Sequence, residues 1–444
     1  MIIPKIGNIN VKKNRTSLKK SNKILAFLEV SSPIKSPNLF GFLIGESVSF
    51  FGSWMTQIAL VWLVYQLTNS PILVGVAGFT NQVMGLVITP LVGVLLDRWN
   101  VRYVLLITQI LSLFLSSLLA FLTISNQINF PNIIIIGVLQ GIIKAFDLPA
   151  RQVTIPRLLE HRSYTYSAMA VHSFLINTAK FVSPMIGGLI IARNGAGLCF
   201  LVDAISYLPF IVAILTIVIK PNINNPSKSA STKIWHNLKE GFIFVYNFMP
   251  IRYILILQII VCFMAMTYVN LMPVFAKEVL KSNAETMGFL MTSTAFGSIF
   301  SGIYLMRRKQ VIGLEKVMTI STLVLGVSLI LFSRSTRLEI CLLLIFIVGL
   351  TNTLTLASIS NFLQVILVEE DKRGRVTSIF MTTFLGILPF GNLFFGGLAH
   401  HIGVANALLF GGVCCIFGAC FFARQISEIR TVVNPIYQEM GLLS

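Results

Sequence analysis

Acidic residues are scarce in this chain: 16 Asp and Glu stand against 34 Lys and Arg among 444 residues. Charged residues of both signs make up only 11% of the sequence, whereas hydrophobic residues make up 55%. An ordinary soluble domain is roughly one-quarter charged, so this composition excludes a soluble globular class. The net charge of +18 would indicate nucleic-acid binding in a soluble protein, but it needs another explanation here.

Motifs for metal binding and catalysis are lacking as well. The six cysteines all fall inside apolar stretches, with neither zinc-site spacing nor a loop pair for a disulfide. His172 is alone in its stretch and is interpreted as a hydrogen-bonded packing residue, and the pair His400-His401 lacks further ligands. No glycine-rich loop ends in Gly-Lys-Ser or Gly-Lys-Thr, so ATP hydrolysis is not expected. We predict no metal, no cofactor and no enzymatic activity; a multispanning membrane enzyme is the remote alternative.

Long apolar runs dominate the rest of the sequence. Twelve of them are long enough to cross ~30 Å of hydrocarbon as an α-helix. They cover residues 39–66, 72–96, 103–125, 131–150, 167–192, 196–219, 253–276, 286–306, 316–333, 338–366, 377–400 and 404–423. The predicted fold class is therefore an all-α membrane protein with 12 transmembrane helices.

Basic residues are distributed unevenly around these spans. If both termini lie on one side, 27 of the 34 Lys and Arg fall on that side. The opposite side holds only Arg193, Lys277, Lys281, Arg334 and Arg337. Loops rich in Lys and Arg stay in the cytoplasm, so we predict cytoplasmic termini in a bacterial inner membrane. The positive charge then faces anionic lipid headgroups, and no nucleic-acid partner is needed to explain it.

Polar segments divide the chain into five parts. The predicted parts are a basic tail (1–38), an N-terminal six-helix bundle (39–219), a linker (220–252), a C-terminal six-helix bundle (253–424) and a second cytoplasmic tail (425–444). In the linker, Ile234, Leu238, Phe242 and Val245 recur at helical spacing. This pattern predicts an amphipathic helix on the inner membrane face.

The two bundles carry short matching sequences in the same order. Leu67 and Gly75 match Leu280 and Gly288, Gln152-Val153 matches Gln364-Val365, and Gly187-Gly188 matches Gly396-Gly397. The nearly constant offset indicates a duplicated six-helix unit. Two pseudo-symmetric halves with a binding site between them are typical of transporters.

The turn after the second span carries the motif Gly93-Val-Leu-Leu-Asp97-Arg98, followed by Arg102. Physically, glycine lets helices pack closely, aspartate accepts hydrogen bonds from a helix N-terminus, and arginines bridge carboxylates or lipid phosphates. The pattern resembles the signature loop of the major facilitator superfamily. In the plainer alternative, these charges only mark the inner end of a span.

The resemblance implies a cytoplasmic gate. Its expected members are Gly93, Asp97, Arg98, Arg102, Arg373 and Arg375. When the cytoplasmic side is closed, Asp97 is expected to cap the start of the eleventh span near Arg375 to Ser378, with Arg98 and Arg102 anchoring that contact.

The fifth span has a small-and-polar face in an otherwise apolar helix. Ser173, Asn177, Lys180, Pro184 and Gly187 fall on that face at 100° per residue, and we expect it to contact protein rather than lipid. The sequence Pro184-Met-Ile-Gly187-Gly188 resembles the fifth-helix motif of exporters in the superfamily. That resemblance implies a bent helix that helps govern which side opens; ordinary glycine-mediated packing is the alternative.

Further motifs resemble one branch of the superfamily, which contains the enterobactin exporter and the macrolide efflux proteins. They are Ser53-Trp54-Met55, Trp62-Leu-Val-Tyr65, Ala145-Phe-Asp147-Leu-Pro149-Ala150-Arg151 and Arg373-Gly374-Arg375-Val376, spread over roughly 40–400. The resemblance implies export of a bulky amphipathic small molecule, siderophore-like or macrolide-like, in exchange for protons.

Ionisable residues within the spans are costly and need partners or a wet cavity. Glu46, Lys180 and Asp203 are the deepest, and we expect Lys180 and Asp203 to form a buried ion pair. Glu46 is the preferred proton carrier, because its own span offers no base and its charged form should be disfavoured. Asp147 shares one helix face with basic neighbours, so coupling and a purely structural end-of-helix cluster both remain open.

In this superfamily, spans one, four, seven and ten commonly line the cavity. The resemblance therefore nominates Glu46 with Gln57, Gln140, Thr267 with Asn270, and Asn352 with Thr355. The predicted function is a monomeric, proton-coupled exporter that works by alternating access, with protons, membrane lipids and an amphipathic substrate as partners. A lipid or lysophospholipid flipping transporter of the same fold is the alternative, which a cavity open sideways to the bilayer would favour.

Overall fold

The computed structural model describes residues 36–159, 164–217, 243, 245–246, 248–308, 312–366 and 370–439. Within these ranges the chain forms twelve long helices. In chain order they are α1 Pro37–Thr68, α2 Pro71–Arg98, α3 Val101–Ile124, α4 Phe130–Arg157, α5 Thr165–Asn194, α6 Ala196–Thr216, α7 Met249–Glu278, α8 Ala284–Arg307, α9 Leu314–Arg334, α10 Leu338–Ile366, α11 Glu370–Ile402 and α12 Val404–Glu439. All twelve are long and apolar enough to cross a membrane, which confirms the predicted all-α fold with 12 spans.

Local sequence explains several helix starts. A proline in the first turn, where no intrahelical donor is required, begins α1, α2 and α4. Asparagine caps three helices: the side chains of Asn100, Asn129 and Asn283 each accept a backbone N–H from the first turn of α3, α4 or α8, at 3.0 to 3.3 Å. The connections between these helices can therefore be short.

The helices form two bundles with the same internal packing. In the N bundle, α1–α6, helix α6 packs against α1 and α3, and α4 packs against α2 and α3. In the C bundle, α7–α12, helix α12 packs against α7 and α9, and α10 packs against α8 and α9. The two sets of contacts are equivalent helix by helix, which confirms two pseudo-symmetric six-helix bundles.

Two ends of the molecule are distinguished by their connections. The hairpin end carries the short turns that join α1 to α2, α3 to α4, α5 to α6, α7 to α8, α9 to α10 and α11 to α12. The terminus end carries the start of α1 and the end of α12. Helix α2 packs against α11, and α5 against α8, across the boundary between the bundles. A Cβ on Gly75 would lie 3.0 Å from the Cα of Gly396, and a Cβ on Gly188 would lie 2.8 Å from the Cα of Gly288. The glycines that reveal the sequence repeat thus lie at the inter-bundle contacts.

The apolar core shows where the bundles join. One cluster of buried side chains combines both bundles in the half nearer the hairpin end, and it includes Val74 and Phe395. In the half nearer the terminus end, the N bundle and the C bundle have separate clusters, represented by Phe210 and Phe362. Among the described residues, no apolar cluster joins the bundles there, so the shared apolar core of the two bundles lies in the half nearer the hairpin end.

The last helix is longer than its apolar stretch predicts. It continues past residue 423 to Glu439 and packs Ile429, Val433 and Tyr437 against the C bundle. Arg430 in the same segment lies 2.6 Å from an oxygen of Glu315. Burial first, and the charge of Glu315 second, raise the pKa of the Tyr437 phenol, so it stays neutral at physiological pH. The basic tail and the linker residues Ile234, Leu238 and Phe242 lie outside the described residues, whereas Val245 packs into the C bundle.

Candidate functional site

A buried carboxylate on α1 meets basic groups from two other helices. Glu46 is 2% exposed. Its Oε2 lies 2.9 Å from Nδ1 of His172 on α5, and its Oε1 lies 3.9 Å from a guanidinium nitrogen of Arg151 on α4. No base comes from α1 itself, as expected, but neighbouring helices supply basic partners, so the argument that the charge of Glu46 is uncompensated does not hold.

Arg151 is the centre of this cluster. Its Nε donates to Oδ2 of Asp147 at 2.7 Å, one turn earlier on α4, and its Nη2 donates to the hydroxyl of Ser49 at 3.1 Å. The guanidinium lies 4.5 Å from the ring centroids of both Phe50 and Phe210. Arginine suits this position because a planar, weakly hydrated cation can pair with carboxylates and lie over aromatic rings at once. One side chain thus connects two carboxylates inside the bundle.

The other oxygen of Asp147 is held by α3. Gln109 donates to Oδ1 at 2.6 Å and Thr108 donates to the same oxygen at 3.2 Å. Ser49 in turn donates to the amide oxygen of Gln109 at 3.4 Å. The cluster therefore draws polar side chains from α1, α3, α4 and α5, and all of them are buried.

Asp203 on α6 is surrounded by hydroxyl groups. Thr56 and Ser116 each donate to Oδ2 at 2.8 Å, and Tyr207 donates to it at 3.4 Å. The predicted ion pair between Asp203 and Lys180 is wrong: the ammonium of Lys180 instead lies 5.0 Å from the ring centroid of Trp54. Helical spacing places both residues near mid-depth, but it does not say towards which neighbour each side chain turns.

Lys144 connects the two acidic positions. It lines a small internal cavity of about 30 Å³ together with Asp147, Asp203, Gln140 and Ser53. The lysine interacts electrostatically with both carboxylates. A cavity of this size and polarity has room for one water molecule. The titratable groups consequently form a chain through the N bundle, from His172 at one end to Asp203 at the other.

Three of the residues nominated for a central cavity do meet. Gln57 of α1, Gln140 of α4 and Asn270 of α7 line one small cavity of about 20 Å³, together with Lys144. The amides of Asn81 and Gln82 on α2 complete the polar part of its lining. This cavity lies on the boundary between the bundles, since Asn270 belongs to the C bundle and the other residues to the N bundle.

Helix α7 is interrupted beside that cavity. Residues Val261–Ala265 form a π-helical turn, and the amide of Met266 donates to the carbonyl of Val261, five residues back. Regular α-helix resumes at Tyr268, so Asn270 lies in its first turn. Such π-bulges occur frequently at functional sites, and broken helices form many transporter binding sites. The apolar sequence of this span gave no sign of the break.

The other nominated residues of the C bundle are packed inside it. The hydroxyl of Thr355 on α10 lies 2.7 Å from that of Ser321 on α9. Thr267 is buried against Gly391 of α11, and Asn352 is also buried. In this conformation Thr355 contacts α9 and does not line the cavity of Gln57.

The polar face of α5 is buried towards one end of the helix and exposed towards the other. Pro184 and Gly188 are buried against α8 near the hairpin end, as expected for a face that contacts protein. Ser173, Asn177 and Lys180, which share that face nearer the terminus end, are exposed. The expectation of protein contact holds only for the first part. The exposed part follows α5 into the space where the bundles diverge.

Most side chains of the predicted gate lie outside the described residues. This applies to Gly93, Asp97 and Arg98 at the end of α2 and to Arg373 and Arg375 in α11, whose backbones are helical. Because α11 begins at Glu370, Arg375 to Ser378 do not form its N-terminus, and that expectation is wrong.

Arg102, the remaining gate residue, contacts its own bundle. It donates to the carbonyl oxygens of Ile214 and Leu215 at 3.1 and 2.6 Å. These carbonyls lie in the last turn of α6, where intrahelical partners are missing and a cation is favourable. In this conformation, Arg102 therefore holds the end of α6.

A polar link closes the hairpin end. The phenol of Tyr65 on α1 donates to Oε1 of Glu278 on α7 at 2.6 Å. Lys277 donates to the side-chain oxygen of Asn69 at 2.9 Å, and its ammonium lies 5.2 Å from the Tyr65 ring centroid. These contacts cross between the bundles. Sequence reasoning missed them, because Tyr65 was noted only as part of a motif and Lys277 only as a loop charge.

Several partners of the buried acids were also missed. His172 was interpreted as a hydrogen-bonded packing residue without a named partner, and the structure shows that the partner is Glu46. The hydroxyl and amide groups of Ser49, Gln109, Thr56 and Ser116 had received no role. Their common signal is polarity inside an otherwise apolar span, because a polar group buried in a membrane protein needs a hydrogen-bond partner.

Comparisons with known proteins agree with this architecture. Residues 31–432 match the family described as transmembrane secretion effectors. The chain is 28% identical over 386 residues to the staphyloferrin A transporter of Staphylococcus aureus, covering 86% of this chain and 95% of that protein. It is 22% identical over 398 residues to macrolide efflux protein A of Streptococcus pyogenes, covering 87% and 95%.

The fold also matches a solved structure. The inward-facing, unoccupied structure of a bacterial homologue of the human lysosomal transporter Spinster aligns with a TM-score of 0.68 at 14% identity, covering 89% of this chain and 98% of that one. These proteins are transporters rather than enzymes. With a match over most of its length, the chain belongs to the transmembrane secretion effector family of the major facilitator superfamily.

Proposed function

We propose that this protein is a proton-coupled exporter of an amphipathic small molecule and that it works by alternating access between its two bundles. The names of its relatives, a siderophore transporter and a macrolide efflux protein, support outward transport of such molecules. The closed hairpin end and the diverging terminus halves correspond to one of the two states that alternating access requires.

The charge balance of the N bundle is the observation that carries proton coupling. Three carboxylates, Glu46, Asp147 and Asp203, share the bundle interior with two basic side chains, Lys144 and Arg151. With a neutral imidazole at His172 the set is one positive charge short of neutrality. An uncompensated charge is costly at this depth, so binding one proton stabilises the set. We propose that the pair of Glu46 and His172 holds that proton.

Sidedness follows from the distribution of Lys and Arg. We propose that the terminus end faces the cytoplasm of a bacterial cell and the hairpin end faces outward, because the loops at the terminus end hold most of the basic residues. The open side is then the cytoplasmic one, where an exporter collects its substrate. We further propose that one chain is the functional unit and that its five parts have the boundaries predicted from sequence, with lipid headgroups contacting the basic loops.

We retain distinct roles for the sequence motifs. Gly93, Asp97, Arg98, Arg373 and Arg375 are proposed to form the cytoplasmic latch in the outward-open state, with Arg102 released from α6 to join it. Pro184 lacks the N–H that would bond to the carbonyl of Lys180, which supports bending of α5 there, with Gly187 and Gly188 beside it. The cavity amides of Gln57, Gln140 and Asn270 are proposed to contact substrate.

The test of coupling uses purified protein in liposomes loaded with carboxyfluorescein, across which a pH gradient is imposed. Dye that remains inside is measured after gel filtration. The gradient should accelerate dye movement in the parent protein, and Glu46→Gln should abolish that acceleration while dye binding persists, because glutamine cannot bind the coupling proton. Glu339→Gln, at the exposed start of α10, is the matched control. An unchanged response to the gradient in Glu46→Gln would remove Glu46 from the role.

A lipid-flipping transporter is the second candidate, because one groove opens sideways. Between α3 and α4 lies a largely apolar groove of about 660 Å³, lined by Trp99, Tyr103, Ile107 and Phe146 among others. Aromatic residues of this kind are enriched at membrane interfaces. Transfer of a fluorescent lysophosphatidylglycerol between leaflets, measured by dithionite quenching, tests this function. Transfer that exceeds the rate for protein-free liposomes would favour it over export of a soluble molecule.

A further inference from the structure

Two lysine side chains reach the boundary between the bundles at mid-depth. Lys144 lies near the middle of α4 and Lys180 near the middle of α5. Substrate sites of secondary transporters lie near this depth, at the interface of the repeated halves. Charged residues are rare in spans, and those present commonly mark the path of a substrate or ion.

Lys180 has no acidic partner among the described residues. Its ammonium lies over Trp54, 5.0 Å from the ring centroid, and no nearby carboxylate contributes to its electrostatic environment. The side chain is exposed rather than packed. A cation at this depth, held only by an aromatic ring, is poorly compensated and is therefore available to a negatively charged ligand.

The position of Lys180 follows from its helix. Pro184 and Gly188 lie one and two turns further along the same face of α5, and both contact α8 of the C bundle. Lys180 therefore lies beside the inter-bundle contact of α5, next to Phe181, whose ring centroid is 5.8 Å from that of Phe296 on α8. Trp54 occupies the face of α1 that also carries Gln57, three residues later, and Gln57 lines the inter-bundle cavity with Lys144. The two lysines thus border one region.

The acids of the N bundle are already engaged, and two of them, Asp147 and Asp203, share a cavity with Lys144 and not with Lys180. Glu46, Asp147 and Asp203 are all buried and each is engaged by hydrogen bonds or a basic side chain. In the C bundle, the described charged residues lie near helix ends or in the second half of α12, and the inter-bundle lining at mid-depth is amide, as at Asn270. The region offers cations and amide N–H donors but no exposed carboxylate among the described residues.

We propose that the inter-bundle region binds an amphipathic organic anion. Its carboxylate or phosphate oxygens are held by Lys180, and its apolar part lies against Trp54. Neighbouring amides supply further hydrogen bonds to the anion. The assignment depends on the proposed function only for the statement that the bound molecule is exported, because binding is measurable without transport.

Two dyes with the same xanthene core and opposite charge test the assignment. Carboxyfluorescein is an anion and rhodamine 123 a cation. Each is titrated with the full-length protein in nanodiscs of neutral lipid, and binding is measured by fluorescence anisotropy. Carboxyfluorescein should bind at least tenfold more tightly than rhodamine 123. Equal binding of the two dyes, tighter binding of rhodamine 123, or no binding of carboxyfluorescein would overturn the proposal.

Variants at Lys180 link this preference to the site. Lys180→Gln should weaken carboxyfluorescein binding about tenfold or more, because a charge-assisted hydrogen bond is lost. Lys180→Arg should keep most of the affinity. Lys316→Gln, which removes an exposed lysine near the start of α9, is the matched control. Unchanged binding in Lys180→Gln would overturn the role of Lys180.

Further measurements separate the source of the anion and the two proposals. Competition by inorganic phosphate or a soluble carboxylate, but not by lysophosphatidylglycerol, supports a soluble ligand; competition by the lysolipid alone supports a lipid headgroup at the same anion site. If the parent protein binds carboxyfluorescein in preference to rhodamine 123 but shows no gradient-driven transport, the proposal of proton coupling fails and the proposal of the anion site is retained. If the pH gradient drives transport of rhodamine 123 in preference to carboxyfluorescein, the proposal of proton coupling is retained and the proposal of the anion site fails.

Discussion

At the residue scale, the interior of the N bundle depends on Arg151. Its guanidinium reaches Glu46 and Asp147 and lies between two phenylalanine rings. Buried charges of this kind contribute little stability as a pair, but the loss of one partner leaves the other uncompensated. Arg151 is also the cation that Glu46 and Asp147 share. Its importance is therefore both structural and electrostatic.

Replacing this arginine should destabilise the protein strongly. We expect Arg151→Met to reduce the free energy of unfolding by ~3–5 kcal/mol, because two buried carboxylates lose their shared cation. Thermal unfolding of the purified protein, followed by tryptophan fluorescence, measures the effect. Arg334→Met, at an exposed arginine of the hairpin end, should change stability by less than ~1 kcal/mol. Similar melting temperatures for the two variants would contradict the role assigned to Arg151.

At the element scale, the closed hairpin end depends on glycines where helices cross. A Cβ at Gly396 would lie 2.8 Å from the Cα of Gly75, whereas a Cβ at the adjacent Gly397 would meet no heavy atom within 4 Å. Close helix approach through small residues is a general feature of membrane proteins. The same helix turn thus contains one glycine that the inter-bundle contact requires and one that it does not.

This difference predicts opposite outcomes for two neighbouring variants. Gly396→Ala should cost the closed hairpin end ~1–3 kcal/mol, because α2 and α11 must move apart to accept the methyl group, whereas Gly397→Ala should have no such cost. Spin labels at Gln127 and Arg337, exposed on turns of the two bundles, report the separation in a background without native cysteines. Longer distances should appear only with Gly396→Ala. Identical distance distributions for both variants would argue against this contact as the closure.

Element boundaries were less predictable than the elements themselves. The twelve spans follow from apolar length, yet α11 begins before its apolar stretch and α12 ends well after it. For α12 the physical reason is that the added turns pack Ile429 and Val433 against the C bundle. The π-helical turn of α7 has no signal in composition, because the residues on either side are equally apolar.

At the scale of the whole molecule, alternating access requires that contacts between the bundles break and reform. The hairpin end is joined by the helix crossings and by the link from Tyr65 to Glu278. The closed conformation should be only modestly favoured, because transport needs both states to be populated. Removing one link should therefore shift the population measurably without unfolding either bundle.

Tyr65→Phe tests this balance. The variant removes the phenol that donates to Glu278 at 2.6 Å, and since that carboxylate is exposed, we expect a cost of ~1 kcal/mol, or about a fivefold shift towards an open hairpin end. The same spin-label pair measures the shift. Tyr103→Phe, at an exposed tyrosine of α3, should leave the populations unchanged. A closed population as large as that of the parent protein would show that Tyr65 does not contribute to closure.

The sequence by itself determined the membrane class, the twelve spans, the duplication and the family resemblance, because apolar length and short motifs are local properties of the chain. It also identified Glu46, Asp147, Asp203 and Lys180 as unusual, since a charge within a span is visible without a structure. Only the tertiary structure decided how these groups are paired. Glu46 meets His172 and Arg151, Asp203 meets hydroxyls, and Lys180 meets Trp54 rather than Asp203, because side-chain partners depend on how helices distant in sequence are rotated and packed against one another.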